Sequence, residues 1–156
     1  MSSISIKVAS SPQELEAIQE IRKTVFQEEQ GVDPNLDFDG KDETSVLLIA
    51  SLNGEFIGTV RVRKLDEKTA KIERLAVLQI ARGHGVGKQL MSQALSIIKS
   101  KNIPEAVIHA QEYIKGLHSS LGFEQEGDVF EEAGIRHVKM KMKVGSMEQG
   151  KVGIKS

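Results

Sequence analysis

Ile4, Ile6 and Val8 alternate with polar residues, which predicts a strand over 5–9. Ser11-Pro12-Gln13-Glu14 then has the form of a helix start: a capping serine, a proline in the first turn and a glutamate that completes a capping box. Leu15, Ile18, Ile21, Val25 and Phe26 follow at helical spacing. Two β-rich runs, 45–52 and 55–63, flank Asn53-Gly54, the strongest short hairpin signal. A third run, 69–77, would place Ile72, Arg74 and Ala76 opposite Glu73, Leu75 and Val77. Leu90, Met91, Ala94, Leu95 and Ile98 form a helical stripe that Asn102 and Pro104 end. Residues 106–110 are continuously apolar, as in a strand buried on both faces. A short helix over 112–121 ends at Gly122. Strands over 123–130 and 136–144 close the pattern. In the last one Val138, Met140, Met142 and Val144 face inward, opposite Lys139, Lys141 and Lys143.

Strands interleaved with helices predict an α/β layered fold. The expectation is one domain over 1–144, with a mixed central sheet of six to seven strands and helices on both faces. A flexible tail, 145–156, would follow. Between the first helix and the hairpin, 27–43 carries seven carboxylates and one lysine, broken by Gly31, Pro34 and Gly40. This reads as a loop with room for one helical turn. Asn35 to Gly40 imitates the start of a calcium loop, but Val46 stands where its last ligand, a glutamate, is needed. A solvated acidic loop is the plainer reading; an acidic wall facing an amine substrate is the functional one.

Composition narrows the chemistry. The 156 residues contain no cysteine, which removes disulfides, thiolate metal sites and a cysteine nucleophile. Net charge is −1 and six residues are aromatic, so neither nucleic acid nor an anionic membrane is favoured as a partner. No apolar run approaches a membrane span or a signal peptide, so a soluble, cytoplasmic protein is expected. Four scattered histidines lack metal-ligand spacing, and no metal is expected. His84 and His109 read as structural or solvent-facing.

The most informative stretch runs from a strand through Arg82-Gly83-His84-Gly85-Val86-Gly87-Lys88 into an amphipathic helix. Glycines at this spacing aim backbone amides at one point, and a helix start adds positive potential, so a phosphate or pyrophosphate is the natural guest. A P-loop needs four residues between its glycines, whereas Gly83 and Gly87 are separated by three. A dinucleotide fingerprint would need glycine at 88 or 90, where Lys88 and Leu90 stand.

What does match is Arg/Gln-x-x-Gly-x-Gly/Ala, here Arg82 to Gly87. With the Leu121-Gly122-Phe123 ending of the last short helix and the element order above, the chain resembles the GNAT N-acetyltransferase superfamily over 22–144. The segments FQEEQGVD, IERLAV, HAQ and EEAGIRHVKM look like its ElaA-type subgroup, and the C-terminal part resembles glyphosate N-acetyltransferase.

The resemblance implies acetyl transfer from acetyl-CoA to a small amine, with coenzyme A as product. Backbone groups of Leu75, Ala76 and Val77 would pair with the pantetheine arm, and the amide of Ala76 or Val77 would meet the thioester oxygen. Amides of Arg82, Gly83, His84, Gly85, Val86, Gly87 and Lys88 would take the pyrophosphate. The side chains of Arg82 and Lys88 would add charge there or remain solvated loop cations. Gln111 takes the usual asparagine position beside the pantetheine. His137 matches a general base, with Glu73 as the competing base or else a strand carboxylate paired with Arg61, Arg63 or Arg74. His118 replaces the customary tyrosine acid, so it serves as an imidazolium acid or the thiolate leaves unassisted. Arg22 and Arg74 match positions that bind an anionic substrate group. A homodimer stays open. The alternatives are a non-catalytic acyl-CoA-binding or regulatory module of the same fold, and a nucleotide-phosphate binder.

Overall fold

The computed structural model describes residues 3–144, so the predicted tail lies outside the described residues. Seven strands form one sheet in the order β1-β2-β3-β4-β5-β7-β6. They are β1 (Ile4–Val8), β2 (Val46–Leu52), β3 (Glu55–Lys64), β4 (Thr69–Val77), β5 (Glu105–Gln111), β6 (Glu124–Glu132) and β7 (Ile135–Lys143). Only β4 and β5 pair in parallel; every other neighbouring pair is antiparallel. The helices are α1 (Pro12–Arg22), α2 (Pro34–Asp37), α3 (Val86–Ser100) and α4 (Lys115–Ser120). No helix among the described residues is long and apolar enough to cross a membrane.

The local signals act as their chemistry requires. Ser11 Oγ accepts from the Glu14 amide at 3.1 Å while Glu14 Oε1 accepts from the Ser11 amide, which satisfies two amides at the start of α1. Asn53 and Gly54 both take positive φ (52° and 88°), the geometry of a two-residue hairpin turn. Ala133 and Gly134 repeat it between β6 and β7 (53° and 76°), and this tight turn carries β6 on to Glu132, beyond the predicted end.

α3 lays Leu90, Met91, Ala94 and Ile98 on Leu48, Val60, Ile72 and Ile108. Gly58 permits the close approach: a Cβ there would stand 3.1 Å from Leu90 Cδ1 and 3.2 Å from Val86 Cγ1. On the opposite face α1 sets Ile18 on Leu47 and Ile49. The helical stripe of α1 does not continue as α-helix. Lys23–Glu29 is a π-helix. Ile21, Val25 and Phe26 all pack around Ala76, and the five-residue step from Ile21 to Phe26 suits the wider π turn.

β4 departs from the expected alternation. Arg74 has φ 59°, and the pairing with β3 passes from Arg61↔Glu73 to Thr59↔Ala76. Arg74 and Leu75 of β4 therefore oppose the single Val60 of β3, which is a β-bulge. It reverses the side-chain parity. Ala70 and Ile72 pack on the α3 side, but Ala76 packs under the π-helix while Leu75 and Val77 turn toward the α3 core. Ile72, Arg74 and Ala76 thus do not share a face.

Candidate active site

β4 and β5 pair only at Thr69↔Glu105, Ala70↔Ala106 and Lys71↔Val107. Beyond Lys71↔Val107 they separate and leave a cleft of about 760 Å³ between Leu75–Val77 and 108–111. Val86, Met91, Leu117 and His118 line it from the α3 face of the sheet; Phe26, Gln30, Val32 and Leu36 line it from the other. The cleft opening carries unpaired strand backbone. Leu78 N donates to Ile57 O at 2.9 Å, so by strand alternation the amide and carbonyl of Val77 face the cleft. Arg82 Nε donates to that carbonyl at 2.9 Å.

At the end of β4 the buried Ala81 anchors the chain, and Gly83 and Gly85 take φ of 87° and 78°. A Cβ at either would meet nothing within 4 Å, so the backbone angle and not crowding calls for glycine. Gly85 caps α3 without any side-chain hydrogen bond, and the first backbone bond of the helix is Gln89 N to Gly85 O at 3.1 Å. The amides of Val86, Gly87 and Lys88 thus precede the intrahelical ladder at the positive end of the dipole. This cradle fits a pyrophosphate by its donors. Arg82, Gly83, Gly85, Val86, Gly87 and Lys88 line the cleft, whereas the exposed His84 side chain does not.

His137 is buried and lines the cleft, although it shares strand parity with the exposed Lys139 and with Lys141. It is paired across the strands with Gln111 on one side and Phe130 on the other, and its ring stacks on Phe130 at 5.9 Å. Its Nδ1 lies 2.7 Å from Ile135 O. A carbonyl only accepts, so Nδ1 carries the proton, which in the neutral ring leaves the lone pair on Nε2.

The other proton-transfer candidates fare differently. Glu73 lines the cleft but is held by Arg61, by Arg63 at 2.7 Å and by Lys71 at 3.5 Å. Burial alone would raise its pKa; Arg63, Arg61 and Lys71 outweigh that and lower it from 4.5 to about 2. A carboxylate so stabilised is a poor base, which counts against it as the competing base. His118 is 5% exposed, and burial lowers its pKa from 6.5 to about 4. It is neutral at physiological pH. An imidazolium acid at His118, one of the sequence expectations, is not what this environment favours; a neutral ring can still donate a hydrogen bond.

The two candidate substrate arginines separate. Arg74 lines the cleft, with Nη2 on Leu36 O at 3.2 Å and on Asp39 at 3.3 Å. Arg22 is 2% exposed, bonds Asp42 at 2.7 Å and is absent from the cleft wall, because α1 points it beneath the loop. The acidic loop also turns inward. Asp39 and Asp42 both bond the fully buried Arg61, and Asp39 is held well below the usual carboxylate range by that hydrogen bond. These two carboxylates clamp the loop to the sheet and do not form an acidic wall. His109, expected to be structural or solvent-facing, lines the cleft and meets Glu132 at 2.9 Å.

Sequence reasoning missed Glu29 and Gln30. Glu29 ends the π-helix and bonds Arg82 at 2.6 Å, and Gln30, the next residue, exchanges two amide hydrogen bonds with Gln111.

Known proteins resemble this chain in sequence and in fold. Residues 9–144 match the sequence model of the family described as Acetyltransferase (GNAT) domain. Protein ElaA of Escherichia coli (strain K12) is 32% identical over 140 residues, 86% of this chain and 90% of its own. The crystal structure of E. coli ElaA superposes with a TM-score of 0.78 at 29% identity, over 90% of this chain and 99% of that one. That of an acyl-CoA N-acyltransferase from Pseudomonas aeruginosa gives a TM-score of 0.76 at 25% identity, over 90% and 99%. With the splayed strands, the amide cradle and a family match across nearly all the described residues, the chain belongs to the GNAT acetyltransferases and is an acyltransferase.

Proposed function

We propose that the protein is an acetyl-CoA-dependent N-acetyltransferase that passes the acetyl group directly to the primary amine of a small molecule in a ternary complex. One observation carries this reading: the amide cradle of Gly83 to Lys88 and the free Nε2 of His137 border the same cleft. When bound, the thioester supplies the acetyl group and a thiol leaving group.

The amides of Gly83 to Lys88 hold the pyrophosphate, and Lys88 adds charge from its exposed position at the helix start. Leu75, Ala76 and Val77 offer strand backbone to the pantetheine, and Gln111 bonds it from β5. The Val77 amide, aimed into the cleft, donates to the thioester oxygen as negative charge develops there. His137 Nε2 takes the proton of the acceptor's ammonium group, which frees the lone pair that attacks. The Nδ1–H bond to Ile135 O fixes the tautomer during that transfer. His118, neutral in its buried pocket, donates a hydrogen bond to the departing sulfur. Arg74 is the cation of the acceptor side, beside Leu36 and Asp39.

Free-thiol release from acetyl-CoA with a panel of primary amines tests the reading. Turnover with at least one amine is expected. Tight acetyl-CoA binding without turnover on any amine would leave a non-catalytic acyl-CoA-binding module instead.

A further inference from the structure

Two contacts span the cleft from neighbouring residues. Glu29, the last residue of the π-helix, bonds Arg82 Nη2 at 2.6 Å. Gln30, the next residue, pairs with Gln111 in both directions: Gln30 Nε2 donates to Gln111 Oε1 at 3.2 Å, and Gln111 Nε2 donates to Gln30 Oε1 at 2.9 Å. Arg82 follows β4 and Gln111 ends β5, so these two residues stand on opposite walls of the opening. The segment 29–30 therefore ties one wall to the other. Arg82 also covers the cleft-facing carbonyl of Val77.

We propose that Glu29 and Gln30 form a two-point clasp across the cleft, which coenzyme A opens and whose Gln30 end then serves the acceptor. The proposal rests on the reading that coenzyme A lies between β4 and β5. Under that reading the pantetheine needs Val77 and Gln111, and the pyrophosphate lies beside Arg82. The Gln111 amide has its oxygen and its nitrogen both engaged by Gln30, and Arg82 is engaged by Glu29 and Val77. A contact made to the coenzyme through the engaged Gln111 or Arg82 N–H groups displaces a contact of the clasp. The exchange has a consequence on the same face of the sheet. Gln111 is the direct cross-strand neighbour of His137, so a Gln30 side chain released from Gln111 lies beside the base. There it offers one acceptor and one donor to the incoming amine. Glu29 and Gln30 are thus positioning residues that couple coenzyme loading to the acceptor wall. A π-helix suits the role, since such segments recur at functional sites.

The test measures coenzyme A binding by calorimetry in the parent, in Gln30→Ala and in Glu29→Gln, with hydrogen exchange over 23–31 in the parent with and without coenzyme A. Each variant lacks a competing contact, so each should bind coenzyme A more tightly, by about three- to tenfold for Gln30→Ala and less for the more exposed ion pair. Exchange over 23–31 should speed up when the parent is loaded. A merely structural role for these side chains would have the opposite sign, with binding weakened or unchanged and the melting temperature lowered. Parent binding coupled with unchanged or weaker binding in both variants would overturn the clasp alone, as would slower exchange over 23–31 on loading. A parent that takes no coenzyme A would overturn the functional reading and the clasp with it. If either variant fails to fold, the exchange measurement on the parent still decides.

Discussion

Arg61→Met tests the electrostatic frame of the acceptor side. The side chain is 1% exposed, and its guanidinium serves three carboxylates. Nε bonds Glu73 at 2.8 Å, Nη1 bonds Asp39 at 2.9 Å and Asp42 at 3.0 Å, and Nη2 bonds Asp39 at 2.7 Å and Glu73 again. Methionine keeps much of the volume and removes every donor. Breaking one side of a buried ion cluster costs about 3–5 kcal/mol. The carboxylates keep other partners (Arg22 for Asp42, Arg74 for Asp39, Arg63 and Lys71 for Glu73), which favours the lower end. A loss of about 3 kcal/mol would lower the urea midpoint by about 1.5 M at a typical slope of about 2 kcal/mol/M. Far-UV circular dichroism is the suitable probe, because the chain has no tryptophan and its one tyrosine, Tyr113, is 79% exposed. The pH dependence gives a second check. Glu73 falls from 4.5 in the unfolded chain to about 2 in the fold, so its pairing stabilises fully above 4.5 and is lost as pH falls toward 2. The gap between parent and variant should therefore narrow below pH 4.5. A midpoint within about 0.3 M of the parent at pH 7, or a gap that widens in acid, would refute the reasoning.

His137→Ala should cut thiol release by about 10²–10⁴-fold while leaving the coenzyme A dissociation constant within about twofold; Glu73→Gln should cost less than about tenfold, and the reverse ranking would move the base to β4. Gly58→Ala forces a Cβ to 3.1 Å from Leu90 and 3.2 Å from Val86, which should cost about 1–3 kcal/mol in urea unfolding followed by circular dichroism; an unchanged midpoint would show that α3 gives way. His118 is held neutral down to about pH 4 by burial, so the unfolded chain takes up its proton first as pH falls below 6.5. Stability should drop between pH 6.5 and 4 by up to about 3 kcal/mol from this group, and His118→Gln should flatten that slope; parallel slopes would contradict the burial argument.

Local chemistry made much of this molecule legible. The capping box of α1 closes within four residues, the Asn53-Gly54 turn joins its own neighbours, and Gly83 and Gly85 take the positive φ their loop needs. The strand order along the chain and the amide cradle follow from such short-range rules. The cleft itself was not legible. β4 leaves β5 after Lys71↔Val107, and Arg74, at φ 59°, then reverses the parity of β4; no period of two announces either the lost pairing or the extra residue.

Charge is where tertiary structure overruled the sequence most. Residues 27–43 read as an acidic stretch, yet Asp39 and Asp42 face Arg61, which lies about twenty residues further on and one strand over. The same arginine, with Arg63 and Lys71, ties up Glu73 and so removes the plainest carboxylate base from contention. His137 shares its parity with three lysines, but the register that sets it between Gln111 and Phe130 buries it and leaves Nε2 free. The sequence by itself determined the elements, the glycine cradle and the family likeness, because each depends on residues within one or two turns of one another. The tertiary structure decided which charged groups are spent on each other and which atom remains free beside the cleft, because, Lys71–Glu73 aside, the ion pairs around the cleft and its loop join residues 10 to 53 positions apart, and the strand register buries His137.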